Sequence, residues 1–309
     1  MARRVRVGES LTRLLRPPRW PPSKWSVPPA WAPTPLARAS MWLHGIGVPL
    51  LAAQLPWWPW LLGALAANHA VLAVGMQPRS QWAGRTLVRL PGPTSHVVLT
   101  FDDGPDPAVT PRVLDLLDAE GARASFFCIG QRAAAHPALV REIARRGHRV
   151  ENHTWSHPYG FAAMGPRAMR QEVRLAQAAL TSLAGAAPRW MRAPVGLRSP
   201  LLDPVLAGEG LLHASWTRRA YDTLRGDPAR VAARLTRRLA GGDVLLLHDG
   251  SSARSGDGRA VVLDALPEVL RAVRARGLQA VALPAPEGLA ASPAPAAAPA
   301  PAAAAASPA

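Results

Sequence analysis

The stretch HVVLTFDDGP, residues 96–105, is a short apolar run that ends in two adjacent carboxylates and a Gly-Pro turn. Apolar runs of this length bounded by turn residues read as buried β-strands. Six more such runs follow: RASFFCIG (123–130), HRVENHT (148–154), PRWMRAP (188–194), LLHASWT (211–217), DVLLLHDG (243–250) and QAVAL (279–283). Amphipathic stretches lie between them, among them VLDLLDAEG (113–121), LVREIARRG (139–147) and MRQEVRLAQAALTSLAG (169–185). Glycines 121, 147, 185 and 277 stand where helices commonly stop. Seven strands, each followed by a helix, call for an α/β fold built on a parallel sheet or barrel. Polar residues gather at the carboxyl ends of the strands, where such folds place their sites.

Asp102 and Asp103 close the first run. Neighbours in an extended segment point to opposite sides, so the pair can serve two different tasks. Alone, the dipeptide reads more simply as an Asp-Gly turn. The third run leads into Asn152-His153-Thr154-Trp155-Ser156-His157. Two histidines four apart share a face if a helical turn follows, a spacing that suits a common metal. With the Asp pair they form a two-His, one-carboxylate set that leaves coordination positions open, an arrangement of catalytic metal sites. Arg192, in the fourth run, can pair with a carboxylate and keep it ionised. Pro194 and Val195 begin a small loop able to aim a backbone N–H at an oxyanion. His248 leaves the sixth run beside Asp249-Gly250, a placement that favours an exposed catalytic imidazole over a core residue. Cys128, the single cysteine, lies in an apolar strand and reads as packing. Trp155 and Tyr159 either border a groove or pack, with equal weight.

Taken in order, TFDDGP, HTWSH, RAPVG and LLLHDG closely resemble the polysaccharide deacetylase family, also known as the NodB-homology domain or carbohydrate esterase family four. The resemblance spans about residues 94–283 and implies a distorted (β/α)7 barrel. It implies that Asp103, His153 and His157 bind a divalent metal, zinc first, with cobalt, nickel or manganese as alternatives. Asp102 becomes the general base acting on metal-activated water, Arg192 its partner, and His248 the general acid for the departing amine. Asp222 matches the aspartate that supports the catalytic histidine. Val195, Pro194 and Trp155 are assigned to the oxyanion and substrate side. Two positions depart from the family pattern: Thr223 stands where a tryptophan is usual and Val195 where an aromatic is common, and both concern the substrate's fit.

The implied activity is metal-dependent removal of an N-acyl, typically acetyl, group from an amino sugar of a polysaccharide. The alternatives are deformylation or deacetylation of a lipid-linked amino sugar, and an inactive glycan-binding protein on the same fold.

The chain has 309 residues with 36 basic against 20 acidic side chains, a net charge of +16. Residues 1–40 hold seven arginines and Lys24 against Glu9, residues 41–77 carry no charge, and Arg79, Arg85 and Arg89 follow. Only +6 remains for residues 96–309. Charge flanking an apolar stretch is a membrane pattern and argues against a nucleic-acid binder, for which no recognition motif is present. The expected organisation is a basic Pro/Trp-rich arm (1–40), a membrane-spanning helical hairpin (41–77), a linker (78–93), the catalytic domain (94–283) and a disordered Ala/Pro tail (284–309). Pro56 and Pro59 split the apolar stretch and set the turn of the hairpin; a single tilted span, which would put the catalytic domain outside the membrane, is the alternative. Positive flanks at both ends put both termini, and the catalytic domain, on the cytoplasmic side of a bacterial inner membrane, with membrane lipids as partners. The use of arginine almost to the exclusion of lysine suits a high-GC bacterial genome.

Overall fold

The computed structural model describes residues 31–286, Leu55 and Ala83 excepted. The arm up to residue 30 and the tail from 287 lie outside the described residues. The first elements are two helices, α1 (Pro35–Ala52) and α2 (Trp58–Gly75). α1 starts before the apolar stretch does. Pro35 occupies the first turn and the Thr34 hydroxyl accepts a hydrogen bond from the Ala37 N–H, so the helix boundary obeys capping rather than hydropathy. The helices run back to back: the Asn68 amide donates to the Ser40 hydroxyl at 3.0 Å, and the rings of His44 and His69 meet edge to face at 5.0 Å. α2 is long and apolar enough to cross a membrane by length and composition.

The domain that follows alternates strands and helices. In chain order it contains β1 (His96–Asp102), α3 (Thr110–Ala119), β2 (Ala124–Cys128), α4 (Gly130–Ala135), α5 (Pro137–Arg145), β3 (Arg149–Asn152), α6 (Pro166–Ala184) and β4 (Trp190–Met191). Then come α7 (Leu202–Gly208), β5 (Leu212–His213), β6 (Arg218–Arg219), α8 (Pro228–Thr236), β7 (Val244–His248), α9 (Val261–Arg274) and β8 (Gln279–Val281). The strands pair in parallel in the order β5-β4-β3-β2-β1-β7-β6, with β8 beside the start of β1. Seven of the eight strands lie within the apolar runs. The eighth, β6, is two arginines paired with Leu245 and Leu246 of β7. Its strand state comes from that pairing, which leaves no alternation in its own sequence.

Alternation in β1 divides the interior into two cores. Val97, Leu99 and Phe101 join Phe126, Leu245, Leu247 and the inner faces of α3, α8 and α9. Val98 turns the other way and meets Phe127, Trp190, Val244 and Leu246 inside the curved sheet. This period of two places Thr100 and Asp102 on the inner side as well. Cys128 is buried in the first core, and burial raises its thiol pKa.

Residues 78–93 are part of this domain and not a free linker. Leu87 bridges in parallel to Ala214 beyond β5, and Arg89 bridges in antiparallel fashion to Asp243 before β7. The segment thus spans the opening between the two sides of the sheet. Leu87 and Leu90 are buried in the inner core, and Arg198, also buried, donates to the carbonyls of Ser80, Gly84 and Arg85. The hydropathy of the segment is unremarkable because Leu87 and Leu90 are its only buried apolar side chains among the described residues. At the far end the Trp190 indole donates to the Pro284 carbonyl at 2.9 Å, so packing continues into the first residues of the expected tail.

Candidate active site

Register brings the site together. Asp102, the last residue of β1, stands level with Phe127 of β2 and His248 of β7. Asn152 stands level with Met191, so the next residues, His153 and Arg192, emerge side by side. They open into a cavity of about 620 Å³ at the carboxyl ends of the strands.

Asp102 is held by Arg192, whose Nη1 donates to Oδ1 at 2.5 Å. Arg192 is wholly buried, and its other donors meet Thr100 Oγ1 and the carbonyls of Ala214 and Ser215. Its guanidinium lies 4.1 Å from the Phe127 ring centroid. A guanidinium satisfied on every side leaves one role toward Asp102, that of a fixed positive partner that holds the carboxylate in place.

Asp103 comes into the same cavity by a backbone twist. Its φ of 70° departs from the extended geometry in which neighbouring side chains oppose each other, so both carboxylates line one space. The expectation of opposite sides assumed that the extended chain continues through Asp103, whereas β1 ends at Asp102. Asp103 Oδ1 lies 3.2 Å from His153 Nε2 and 3.3 Å from His157 Nε2. No helical turn carries the two histidines; left-handed residues Thr154 (φ 66°) and His157 (φ 54°) fold the chain back, and the rings meet at 4.8 Å.

The donor atoms of Asp103, His153 and His157 all lie within 4.8 Å of one another. His153 Nδ1–H donates to the Arg192 carbonyl at 2.8 Å, which turns Nε2 toward Asp103. Burial opposes ionisation of Asp103, yet the surrounding histidines hold its carboxyl well below the usual range. Burial and neighbouring His153 push the His157 pKa down, toward the neutral form that ligates. Two imidazoles and a carboxylate sharing one small volume fit a divalent cation of borderline hardness.

On the opposite wall, His248 Nδ1–H donates to Asp222 Oδ1 at 2.9 Å, and the His248 backbone N–H donates to Oδ2 at 2.7 Å. Burial lowers the His248 pKa, but Asp222, aided by Asp102 and Asp103, raises it to about 9. The imidazole is a cation at neutral pH with Nε2–H directed away from Asp222.

The substrate side departs from expectation in three places. Trp155 does not line the cavity. Gln131 N–H donates to the Trp155 carbonyl and Gly130 N–H to that of Thr154, which draws the ring onto Gly130 and α6 as packing. Pro194 is buried behind the rim, while Val195, in the left-handed region at φ 50°, lines it. Thr223 borders the cavity where the family pattern usually has a tryptophan, and Trp216, seven residues earlier, supplies an indole wall instead. Only the close approach at Gly196, where a Cβ would meet the Trp216 ring at 2.3 Å, admits it. Tyr159 lines the other side, 82% exposed.

Positive φ marks the site. Of the eight non-glycine residues so placed among those described, Asp103, Thr154, His157, Val195, Tyr221 and Ser251 lie in or beside it. Each costs about 1–3 kcal/mol and persists only where its surroundings over-determine it, as at functional sites.

A sequence model described as polysaccharide deacetylase matches residues 89–211. The chain is 35% identical over 198 residues to a chitooligosaccharide deacetylase of Bradyrhizobium sp. (strain ANU 289), covering 62% of this chain and 90% of that protein. It is 30% identical over 208 residues to a peptidoglycan-N-acetylglucosamine deacetylase of Bacillus cereus, covering 66% of this chain and 73% of that one. Among solved structures, a family 4 carbohydrate esterase from Streptomyces lividans in complex with acetate is 32% identical, with a TM-score of 0.55 over 60% of this chain and 91% of that one. With the four motifs converging on one cavity and relatives of this similarity covered over most of their length, the chain belongs to the polysaccharide deacetylase family.

Proposed function

We propose that the protein is a metal-dependent deacylase that hydrolyses the N-acetyl amide of an amino sugar in a glycan. The observation that carries this reading is a single cavity holding a three-donor metal set, a carboxylate fixed by a buried arginine and an imidazolium fixed by a buried aspartate. Its relatives, a chitooligosaccharide deacetylase and a peptidoglycan-N-acetylglucosamine deacetylase, support the substrate class.

Asp103, His153 and His157 would hold the ion, and their donor set suits zinc. When bound, a divalent ion supplies Lewis acidity that polarises the amide carbonyl and makes water more acidic. Asp102, held in place by Arg192, takes a proton from the attacking water as its oxygen bonds to the carbonyl carbon. The turn at Val195 borders the space where the carbonyl oxygen gathers charge. His248 then gives its proton to the amide nitrogen as the C–N bond breaks, releasing a carboxylate and the free amino sugar. Asp222 holds His248 in the tautomer and orientation that this transfer needs.

The two-helix segment ahead of the domain supports an inner-membrane anchor, with α2 as its apolar span. Full-length protein in detergent, incubated with N-acetylated glycans with and without chelator, tests the activity. Chelator-sensitive release of acetate is the expected result. Zinc bound at one per chain with no release from any acylated sugar would sink the deacylase reading and favour glycan binding alone.

A further inference from the structure

A second cavity, of about 610 Å³, adjoins the first and shares Trp216 and Arg219 with it. Seven arginines line it and no acidic side chain does. Two of the seven have carboxylate partners: Arg218 pairs with Asp243 at 2.6 Å and Arg230 with Asp227 at 3.1 Å. Arg79, Arg219, Arg225, Arg234 and Arg237 have none among the described residues.

Their placement is built. Arg219 and Arg234 stack on the Tyr221 ring from 4.9 and 4.8 Å, and Arg219 also faces Trp216 at 5.6 Å. Stacking on aromatic faces fixes the guanidinium planes while leaving their N–H edges available. The Nε of Arg219 is buried without a hydrogen-bond partner among the described residues. Arg230 and Arg234, one turn apart on α8, share a face, and Arg237 follows the end of that helix. Gathering like charges without counter-charges is unfavourable, so the cluster calls for a multivalent anion. Forked guanidinium donors match phosphate oxygens in pairs. A neutral glycan would have no use for them.

We propose that this cavity is a phosphate subsite of the catalytic groove, and that the acylated amino sugar the protein acts on carries a phosphate or diphosphate ester. The proposal rests on the deacylase reading of the neighbouring cavity. Two sources share this chemistry, a soluble sugar phosphate and a sugar diphosphate borne on a lipid. Arg79 lies four residues beyond the end of α2, and its Nη1 donates to the Thr217 carbonyl at 3.2 Å. The subsite therefore begins at the foot of the apolar helix, which favours the lipid-borne source.

The first test is calorimetric titration of full-length protein in neutral detergent with inorganic pyrophosphate, in the presence of EDTA so that no metal takes part. The comparison protein carries Arg225→Gln and Arg234→Gln, both at exposed positions outside the catalytic set. The expected result is one pyrophosphate per chain, bound at least tenfold more weakly by the double variant and more weakly by both at high salt. No binding by the native chain, or equal binding by the two proteins, overturns the subsite.

The second test compares acetate release by the zinc-loaded chain from an N-acetylglucosamine oligosaccharide, N-acetylglucosamine 1-phosphate and a polyprenyl-diphosphate-linked N-acetylglucosamine. At least tenfold higher kcat/KM on a phosphate-bearing substrate, lost in the double variant while oligosaccharide turnover stays unchanged, supports the proposal. A preference for the lipid-borne form over the 1-phosphate identifies the lipid source, and equality identifies the sugar phosphate itself. Equal turnover of neutral and phosphate-bearing substrates by both proteins overturns the subsite and leaves the deacylase reading intact. Pyrophosphate binding that the variant loses, with no acetate from any substrate, does the reverse.

Discussion

The adjacent carboxylates Asp102 and Asp103 differ in what surrounds them, and that difference separates their roles. One faces a buried guanidinium and the other faces two imidazoles. Asp102→Asn is expected to keep one metal per chain while losing about 10²–10⁴-fold in kcat, the span typical of removing a general base. His153→Ala is expected to lose the metal too, read as metal content after dialysis. Retention of most activity by Asp102→Asn would transfer the base role to another group. The pH profile tests the opposite wall. His248 must be protonated to donate, and its pKa is raised to about 9, so kcat/KM should fall as pH rises through that value. Asp222→Asn removes the counter-charge, so the alkaline limb should move toward lower pH. An unmoved limb would exclude His248 as the acid.

Among the elements, the segment of residues 78–93 matters most to the sheet, because it spans the opening between β5 and β7. Leu87 is 2% exposed and packs with Phe127 and Trp190. Leu87→Ala should cost about 2–5 kcal/mol, measured as a lowered denaturation midpoint at unchanged slope. A cost near zero would make the segment a dispensable linker. It follows that a soluble catalytic fragment must begin before this segment. The loops after β1 and β7 make a similar close fit. A Cβ at Gly250 would stand 2.3 Å from the Asp103 carbonyl oxygen, so Gly250→Ala must shift the backbone that carries a proposed metal ligand. The expected outcome is weaker zinc retention, seen by competition with a chelator, with the far-UV spectrum preserved.

Across the whole molecule, the apolar helix pair, the arginine cavity and the catalytic cavity follow one another through Arg79, Trp216 and Arg219. A hairpin anchor with both ends in the cytoplasm predicts that a cysteine introduced at Gly288 is shielded from an impermeant thiol reagent applied to intact cells. The native Cys128 is buried and does not compete. Labelling from outside would place the catalytic domain beyond the membrane.

Strand positions were legible because a parallel sheet buried on both faces needs continuous apolar runs, and such runs stand out between amphipathic helices. Asp102, Asp103, His153, Arg192 and His248 were legible because they sit in or at the ends of those runs, His157 because it completes the motif that follows the third run, and Asp222 through the family resemblance. Whether neighbours oppose or converge was not legible, since it hangs on backbone twists at Asp103, Thr154 and His157 that residue type does not announce. Nor was the replacement of a wall at Thr223 by Trp216, the seating of Trp155 against Gly130, or the sheet-spanning role of Leu87. Each depends on contacts between residues far apart in the chain. The same holds for the arginine cavity, whose members are scattered from Arg79 to Arg237 and meet only where the end of the apolar helix, β6 and α8 come together. Local pattern determined which residues are candidates for the chemistry, while long-range packing decided which way each one faces, because burial is a property of the assembled chain.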